Sequence, residues 1–188
     1  MLDAAISCFT TSGYDGTTMA AIAEEAEVAV QTLYFTFGTK SRLLQETFDR
    51  AVLGDGAPIA PSDTGWHRAM EAEPNLEAAL GHLVAGVTEI LERVAPLRPV
   101  FEAAAGEEGV AEVWERGERL RLEGYRAIID ILQQKRGFRE GYDSDFATDV
   151  LFILLGPDAF RAFVHERQWS VEKWRAWLTQ TLRRELFQ

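Results

Sequence analysis

Apolar residues in the first fifty positions recur at a spacing of three or four, which predicts short amphipathic helices. Gly13 and Gly38 are expected helix stops. Thr17 and Thr18 can cap the second helix and Thr39 the fourth, each just ahead of a new apolar stripe. The stripes are Leu2, Ala5, Ile6 and Phe9; Met19, Ile22, Ala23 and Ala26; Leu33 and Phe37; and Leu43, Leu44, Thr47, Phe48 and Ala51. Helices of about ten residues cannot bury such stripes alone, so we expect them to pack together as one small unit.

Beyond this unit, residues 54–65 are rich in Gly, Pro, Ser and Asp, which predicts a domain boundary. The apolar pattern then predicts longer helices over about 76–94, 107–135, 144–166 and 170–187. Pro157 is expected to kink or divide the third of these, and Ser170 to cap the last. No segment has a convincing strand pattern. The sequence therefore predicts an all-α protein with a three-helix domain over residues 1–53 and a helical bundle over residues 54–188.

Composition narrows the class of protein. Apolar residues make up 47% and charged residues 26% of the 188 positions, as in globular proteins with a real core. No apolar run approaches the roughly 18 residues of a membrane span, and Asp3 interrupts any signal peptide at once. The single cysteine, Cys8, excludes an internal disulfide framework and favours a reducing compartment. We expect a cytoplasmic protein with no membrane contact.

The charge balance disfavours non-specific binding to polyanions, since the net charge is −11. Residues 1–50 contain three basic and seven acidic residues, a net charge of −4. The segment 17–40 contains one basic residue, Lys40, and three acids, Glu24, Glu25 and Glu27. A specific nucleic-acid site therefore has to rely on local donors rather than on long-range attraction.

Catalytic and metal-binding patterns are not evident. The three histidines, His67, His82 and His165, lie far apart without metal-ligand spacing. The acids at 143, 145 and 149 lack the turn glycine and closing glutamate of a calcium loop, so capping and solvation explain them better. We expect no enzyme activity, no cofactor and no metal.

Two short helices joined by a break at residues 27–29, over another helix, form the arrangement that holds a recognition helix in a major groove. The stretch "MLDAAISCFTTSGYDGTTMAAIAEEAEVAVQTLYFTFGTKSRLL" resembles the N-terminal domain of TetR-type transcriptional regulators. It has the Gly-Tyr-x-x-Thr-Thr entry, the Ile-Ala pair ahead of the break, the Thr-Leu-Tyr-x-x-Phe recognition helix and the following Lys40. More loosely, the long helices from "RLEGYRAIIDIL" to the C-terminus resemble the regulatory domain of one branch of that family.

The resemblance implies roles for six residues of the predicted helix-turn-helix. Phosphate contacts are implied for Thr18, Thr32, Tyr34 and Lys40, and base-edge contacts for Gln31, Thr32 and Phe35. These roles suit the side chains, because hydroxyls are neutral phosphate donors and a Gln amide can pair with adenine. An outward apolar ring such as Phe35 is costly unless it meets a thymine methyl group or another protein.

The sequence departs from the family pattern at several positions. Glu27 stands where such regulators usually have Gly, so a left-handed backbone there would cost about 1–2 kcal/mol. Val30 stands where a polar or basic residue is common in the family, and Thr36 stands where an aromatic residue or His is usual. Many relatives have a basic arm ahead of the first helix, so either an arm precedes Met1 or binding relies on few phosphate contacts.

The last two predicted helices are expected to form a homodimer interface, since apolar residues surround the 144–166 segment on nearly all sides. We expect this interface to contain Phe160, Phe163, Trp174, Trp177 and Leu178. The alternative is that they form a monomeric core.

Two glycines seven residues apart, at 117 and 124, lie on the bulky inner face of the 107–135 helix. They indicate either a close helix crossing or a ligand cavity. The predicted cavity is lined by Phe101, Trp114, Gly117, Arg121, Tyr125 and Ile128. Arg121 would bind an anionic or hydrogen-bonding group, unless it pairs with an acid such as Glu118 or Glu123.

The sequence as a whole predicts a ligand-responsive regulator that binds a palindromic operator in double-stranded DNA as a homodimer. The resemblance favours a repressor that a small-molecule inducer releases, with ligand binding and dimerisation in the C-terminal domain. The alternative is a regulator homologue that has lost DNA binding and acts as a protein-interaction module, with Phe35 as its contact.

Overall fold

The computed structural model describes residues 1–54, 60–139 and 141–187, and their regular structure is helical apart from an isolated bridge between Phe138 and Phe187. The helices are α1 (Leu2–Gly16), α2 (Met19–Glu25), α3 (Val30–Phe37), α4 (Lys40–Leu53), α5 (Gly65–Ala72), α6 (Leu76–Val94), α7 (Arg98–Ala103), α8 (Val110–Leu132), α9 (Ser144–Leu154), α10 (Pro157–Phe160) and α11 (Val171–Leu186). The predicted all-α class is confirmed. No helix among the described residues is long and apolar enough to cross a bilayer.

The predicted helix starts are confirmed by side-chain caps. Thr18 accepts a hydrogen bond from the backbone N–H of Ala21 at 3.1 Å. Thr39 caps α4 in the same way at 3.1 Å, and Ser170 caps α11 at 3.2 Å. Each cap satisfies a backbone donor that the first helical turn leaves unpaired. Gly13 has φ +71°, so the regular part of α1 ends there, as predicted, before one further turn.

Three prolines lie at helix boundaries. The predicted 144–166 helix is divided at residues 155–156, and Pro157 begins α10, which continues as a π-helical segment over Arg161–Glu166. Helix α6 ends at Val94, just ahead of Pro96, and Pro99 lies in the first turn of α7, where a missing N–H costs nothing. The short helices α5 and α7 were not predicted, because neither is long enough to show a clear apolar period.

The first compact unit consists of Met1–Pro58 and Pro96–Gly117, so it also contains residues that the sequence-based boundary placed in the second domain. Helix α1 packs against α2, α4 and α7. Phe9, Ile22, Leu33 and Leu44 are fully buried in this core. Residues 55–59 of the predicted boundary lie outside the described residues.

The second compact unit consists of Ile59–Ala95 and Glu118–Gln188. Its central helix is α6, which packs against α5 and α11. The largest fully buried side chains of this unit are Met70, Leu80, Leu83, Ile129, Phe160 and Trp174. Helix α8 contributes residues 110–117 to the first unit and 118–132 to the second.

Candidate nucleic-acid interface

The helices α2 and α3 are joined by a tight turn of four residues, 26–29. The backbone N–H of Val28 donates to the carbonyl oxygen of Ala23 at 2.9 Å, which closes the end of α2. Glu27 adopts φ +54°, the left-handed conformation expected for this position. Ile22 and Leu33 are fully buried on the two sides of the turn, so the angle between the helices is fixed by packing inside the first unit.

The outer face of α3 is exposed. Its exposed residues are Gln31, Thr32, Tyr34, Phe35 and Thr36. The ring of Phe35 is 94% exposed and that of Tyr34 is 54% exposed, whereas Leu33 between them in the helix is 0% exposed. Among the described residues, the side chains of Gln31 and Tyr34 have no hydrogen-bond partner in the protein. Helix α3 contains no charged residue.

The two threonines ahead of α2 have different environments. Thr17 is 1% exposed, and its hydroxyl bonds to the carbonyl oxygens of Gly13 (2.7 Å) and Cys8 (3.0 Å), so it serves the fold. Thr18 is exposed, and its hydroxyl oxygen accepts from Ala21. The O–H of Thr18 remains able to donate, which suits a phosphate contact.

Lys40 begins α4, as predicted, and its side chain reaches the end of α1. Its ammonium donates to the carbonyl oxygens of Tyr14 (2.9 Å) and Thr17 (3.2 Å), and it lies 4.0 Å from the centroid of the Tyr14 ring. The carbonyls belong to the C-terminal end of α1, where a positive charge is favourable. Two of the three ammonium hydrogens are therefore used inside the first unit.

The acidic residues near α3 are all on the surface. Glu24, Glu25 and Glu27 are exposed at the end of α2 and in the turn.

Burial raises the pKa of the Cys8 thiol, and the Glu25 carboxylate raises it further. The thiolate of Cys8 is thus disfavoured, which argues against a reactive cysteine.

Three predicted pocket residues lie in the first unit. Phe101 and Trp114 form an aromatic cluster with Phe48, with ring centroids 5.4–5.8 Å apart. A Cβ atom placed on Gly117 would lie 2.7 Å from the Phe48 ring. Gly117 thus allows a close approach of α4 and α8, which is the close-crossing alternative that the sequence left open.

The other three predicted pocket residues lie in the second unit. Arg121 pairs with Glu118 at 2.6 Å, donates to the carbonyl oxygen of Phe152 at 2.6 Å, and lies 3.6 Å from the Phe152 ring centroid. The hydroxyl of buried Tyr125 donates to the carbonyl oxygen of Leu155 at 2.7 Å. Ile128 is 4% exposed in the core. Arg121 and Tyr125 thus hold carbonyls at the break between α9 and α10.

The predicted interface residues fall into two groups. Phe160, Trp174 and Leu178 are at most 1% exposed in a single chain, so they form the core of the second unit and offer no surface to a partner. Phe163 and Trp177 are half-buried and in contact, with ring centroids 4.7 Å apart. For the three buried residues, the monomeric-core alternative fits the structure.

Helix α9 has an exposed apolar face that the sequence pattern did not single out. Phe146 is 46% exposed, Ile153 is 66% exposed, and half-buried Val150 lies between them. The spacing of four and three residues places these side chains on one face. The signal was present, because apolar residues surround α9 more completely than one core requires. Beside α9, a groove of ≈ 180 Å³ is lined by Leu122, Glu123, Arg126, Asp145, Thr148 and Asp149.

The acids at the start of α9 have structural roles. Asp143 caps α9 by accepting from the N–H of Phe146 at 2.6 Å, and Asp145 pairs with Arg126. The described residues contain no group of three or more His, Cys, Asp or Glu side chains placed to hold a metal ion.

Residues 1–47, which contain α1, α2, α3 and most of α4, match the family model described as bacterial regulatory proteins, tetR family. The similarity to this family thus covers the helices of the N-terminal region. Within the matched residues, α2 and α3 form a helix-turn-helix. In such a motif the exposed face of the second helix is the surface that enters a major groove. No protein of curated function matches the sequence.

Solved structures show a likeness of fold that extends over the whole chain. A Mesorhizobium loti protein assigned to the TetR family of transcriptional regulators has a TM-score of 0.74 and 22% identity, covering 100% of this chain and 95% of its own. FadR, a fatty acid degradation regulator of Bacillus halodurans, has a TM-score of 0.70 and 21% identity, covering 96% and 91%. NalD, the secondary repressor of a Pseudomonas aeruginosa multidrug efflux pump, has a TM-score of 0.69 and 17% identity, covering 100% and 94%. These likenesses are of fold, and the proteins are regulators rather than enzymes.

Proposed function

We propose that this chain is a transcriptional repressor that binds a palindromic operator as a homodimer and is released by a small molecule. The observation that carries the proposal is the exposed outer face of α3, within a domain that matches the tetR family model. A helix so placed by α2 can enter a major groove with its side chains directed at the base edges.

The chemistry of this face supports specific rather than non-specific binding. The Gln31 amide and the hydroxyls of Thr32 and Tyr34 are exposed neutral donors. Lys40 is occupied at the end of α1, and α3 itself has no charge. Few cationic contacts mean that little affinity comes from counterion release, so sequence-specific contacts have to supply it.

Selection of binding sites from random duplex DNA by the purified protein tests the DNA-binding part. Enrichment of a palindrome is expected, with half-sites about one helical turn apart. The double variant Gln31→Ala/Tyr34→Ala should fold normally, since both side chains are exposed, and should lose the enrichment. Gln134→Ala, an exposed glutamine in the second unit, is the matched control. Failure of the wild-type protein to enrich any sequence would leave the protein-interaction module as the better function.

The homodimer part rests on the face of α9 defined by Phe146, Val150 and Ile153, together with half-buried Phe163 and Trp177. Exposed apolar side chains grouped on one face are costly in water unless a partner covers them. Phe163→Glu and Ile153→Glu should each give a monomer in analytical ultracentrifugation. Ala78→Glu adds the same charge at an exposed position of α6 and should leave the dimer intact. A wild-type monomer would contradict the assembly.

Release by a small molecule is the part of the proposal that depends most on the family. Arg121 is the basic residue predicted to bind this ligand. In the structure it forms an ion pair with Glu118 and donates a hydrogen bond to the carbonyl oxygen of Phe152. A ligand with an anionic group would have to replace one of these contacts, which would disturb the end of α9. An Arg121→Ala variant that responds to an identified inducer as the wild type does would remove Arg121 from the ligand site.

A further inference from the structure

Phe35 is the most exposed of the large apolar side chains in the described residues, at 94%. It makes no contribution to the core, since Leu33 is the buried residue of the same helix turn. An apolar ring on the outer face of a reading helix gains free energy only when another apolar group covers it. The exposed Phe35 ring therefore indicates that the binding partner of α3 presents an apolar group.

Gln31 precedes Phe35 by four residues, so both side chains lie on the same side of α3, about 6 Å apart along the helix axis. The exposed Gln31 amide has both a donor and an acceptor, and it has no partner among the described residues. With α3 free of charge, this face has neither an Arg or Lys to pair with guanine nor an acid to pair with cytosine.

In the major groove, adenine presents an N7 acceptor beside an N6 donor, and thymine presents a 5-methyl group. The adenine pattern matches the Gln31 amide, and the thymine methyl is the apolar group that suits the Phe35 ring. Successive base pairs are about 3.4 Å apart, so side chains about 6 Å apart reach pairs no more than about two steps from each other.

We propose that α3 reads A·T base pairs, with the Gln31 amide on an adenine edge and the Phe35 ring on a thymine methyl within two steps of it. This inference rests on the proposed function, since it names the bases that the same surface recognises. Each half-site should therefore contain an adenine and a thymine on neighbouring pairs, at positions where guanine or cytosine is rejected.

Chemical changes to single base atoms test this assignment with the full-length protein and the operator obtained by selection. Replacing the contacted thymine by uracil removes only the methyl group and should weaken binding about fourfold per half-site. Replacing the contacted adenine by 7-deazaadenine removes the N7 acceptor and should weaken binding by about fivefold or more per half-site. The same replacements in the flanking duplex should have no effect.

The two side chains provide matched controls for each other. Phe35→Ala should bind the thymine and uracil operators equally while keeping its sensitivity to 7-deazaadenine. Gln31→Ala should bind the adenine and 7-deazaadenine operators equally while keeping its sensitivity to uracil. Both residues are exposed, so urea unfolding should show that both variants remain as stable as the wild type.

The outcomes separate this inference from the proposed function. Specific operator binding that is insensitive to uracil, or equally sensitive in Phe35→Ala, would overturn the A·T assignment and leave the regulator intact. Enrichment of G·C pairs at the positions that Gln31 and Phe35 contact would also overturn the A·T assignment and leave the regulator intact. The absence of any enriched sequence would overturn both proposals and would leave another protein as the group that covers Phe35.

Discussion

The Lys40 ammonium donates a 2.9 Å hydrogen bond to the carbonyl oxygen of Tyr14 and lies 4.0 Å from the centroid of the ring of the same residue. This contact joins the start of α4 to the end of α1, 26 residues earlier in the chain. A residue that the family pattern assigns to DNA thus also holds the domain together, and its loss should have two separate consequences.

Lys40→Met should lower the free energy of unfolding by about 1–3 kcal/mol, because it leaves the carbonyls of Tyr14 and Thr17 without their charged donor. Urea denaturation in the absence of DNA measures this effect. Arg42→Met removes a nearby charge that pairs at the surface with Glu46, and it should cost less than about 1 kcal/mol. Equal stability of Lys40→Met and the wild type would mean that Lys40 acts on DNA alone.

Glu27→Gly should stabilise the protein by about 0.5–1 kcal/mol. The φ of +54° at Glu27 is unfavourable for a residue with a Cβ atom, and glycine removes that cost while losing some entropy. Glu24→Gly removes the same charge inside α2 and should destabilise by about 1 kcal/mol. Thermal unfolding should therefore shift in opposite directions for these two variants, and a decrease for both would contradict the strain at Glu27.

Tyr125→Phe should cost about 1–2 kcal/mol at neutral pH, because the buried carbonyl of Leu155 loses its donor. Burial raises the pKa of Tyr125 to about 12, from an ordinary value of 10. The folded state therefore favours the protonated hydroxyl, and this contribution is complete below pH 10 and lost as the pH rises towards 12.

Unfolding free energies at pH 8, 10 and 11 should show the gap between the wild type and Tyr125→Phe becoming smaller as the pH rises. Tyr34→Phe, which changes an exposed ring, should remain as stable as the wild type at neutral pH. A constant gap over this range would mean that Tyr125 does not titrate differently in the two states.

The salt dependence of operator binding should be shallow. Lys40 and Arg42 are the basic residues of each reading head near α3, so a dimer offers about four cations and a slope no steeper than about −4 for log K against log salt. Binding isotherms at several salt concentrations give this slope. A value near −7 or steeper would require phosphate contacts from basic residues elsewhere in the protein.

Much of the helix pattern was accessible from the sequence because it depends on local interactions. The caps at Thr39 and Ser170 and the break at Pro157 depend on residues within one helical turn, and each was predicted. The cap at Thr18 was predicted with Thr17 as an equal candidate. The outward position of Phe35 followed from the inward positions predicted for Leu33 and Phe37 around it. The positive φ of Glu27 followed from a family pattern that has glycine there.

The tertiary structure decided what covers each apolar face and where each long polar side chain ends. Phe160 and Trp174 are in the core and Ile153 is on the surface, although all three are large apolar residues of the last two predicted helices, because the packing partners come from distant parts of the chain. Lys40 and Arg121 bind carbonyls that are 26 and 31 residues away in sequence. Periodicity specifies that a helix has an apolar side, but only the assembled fold specifies which neighbour meets it.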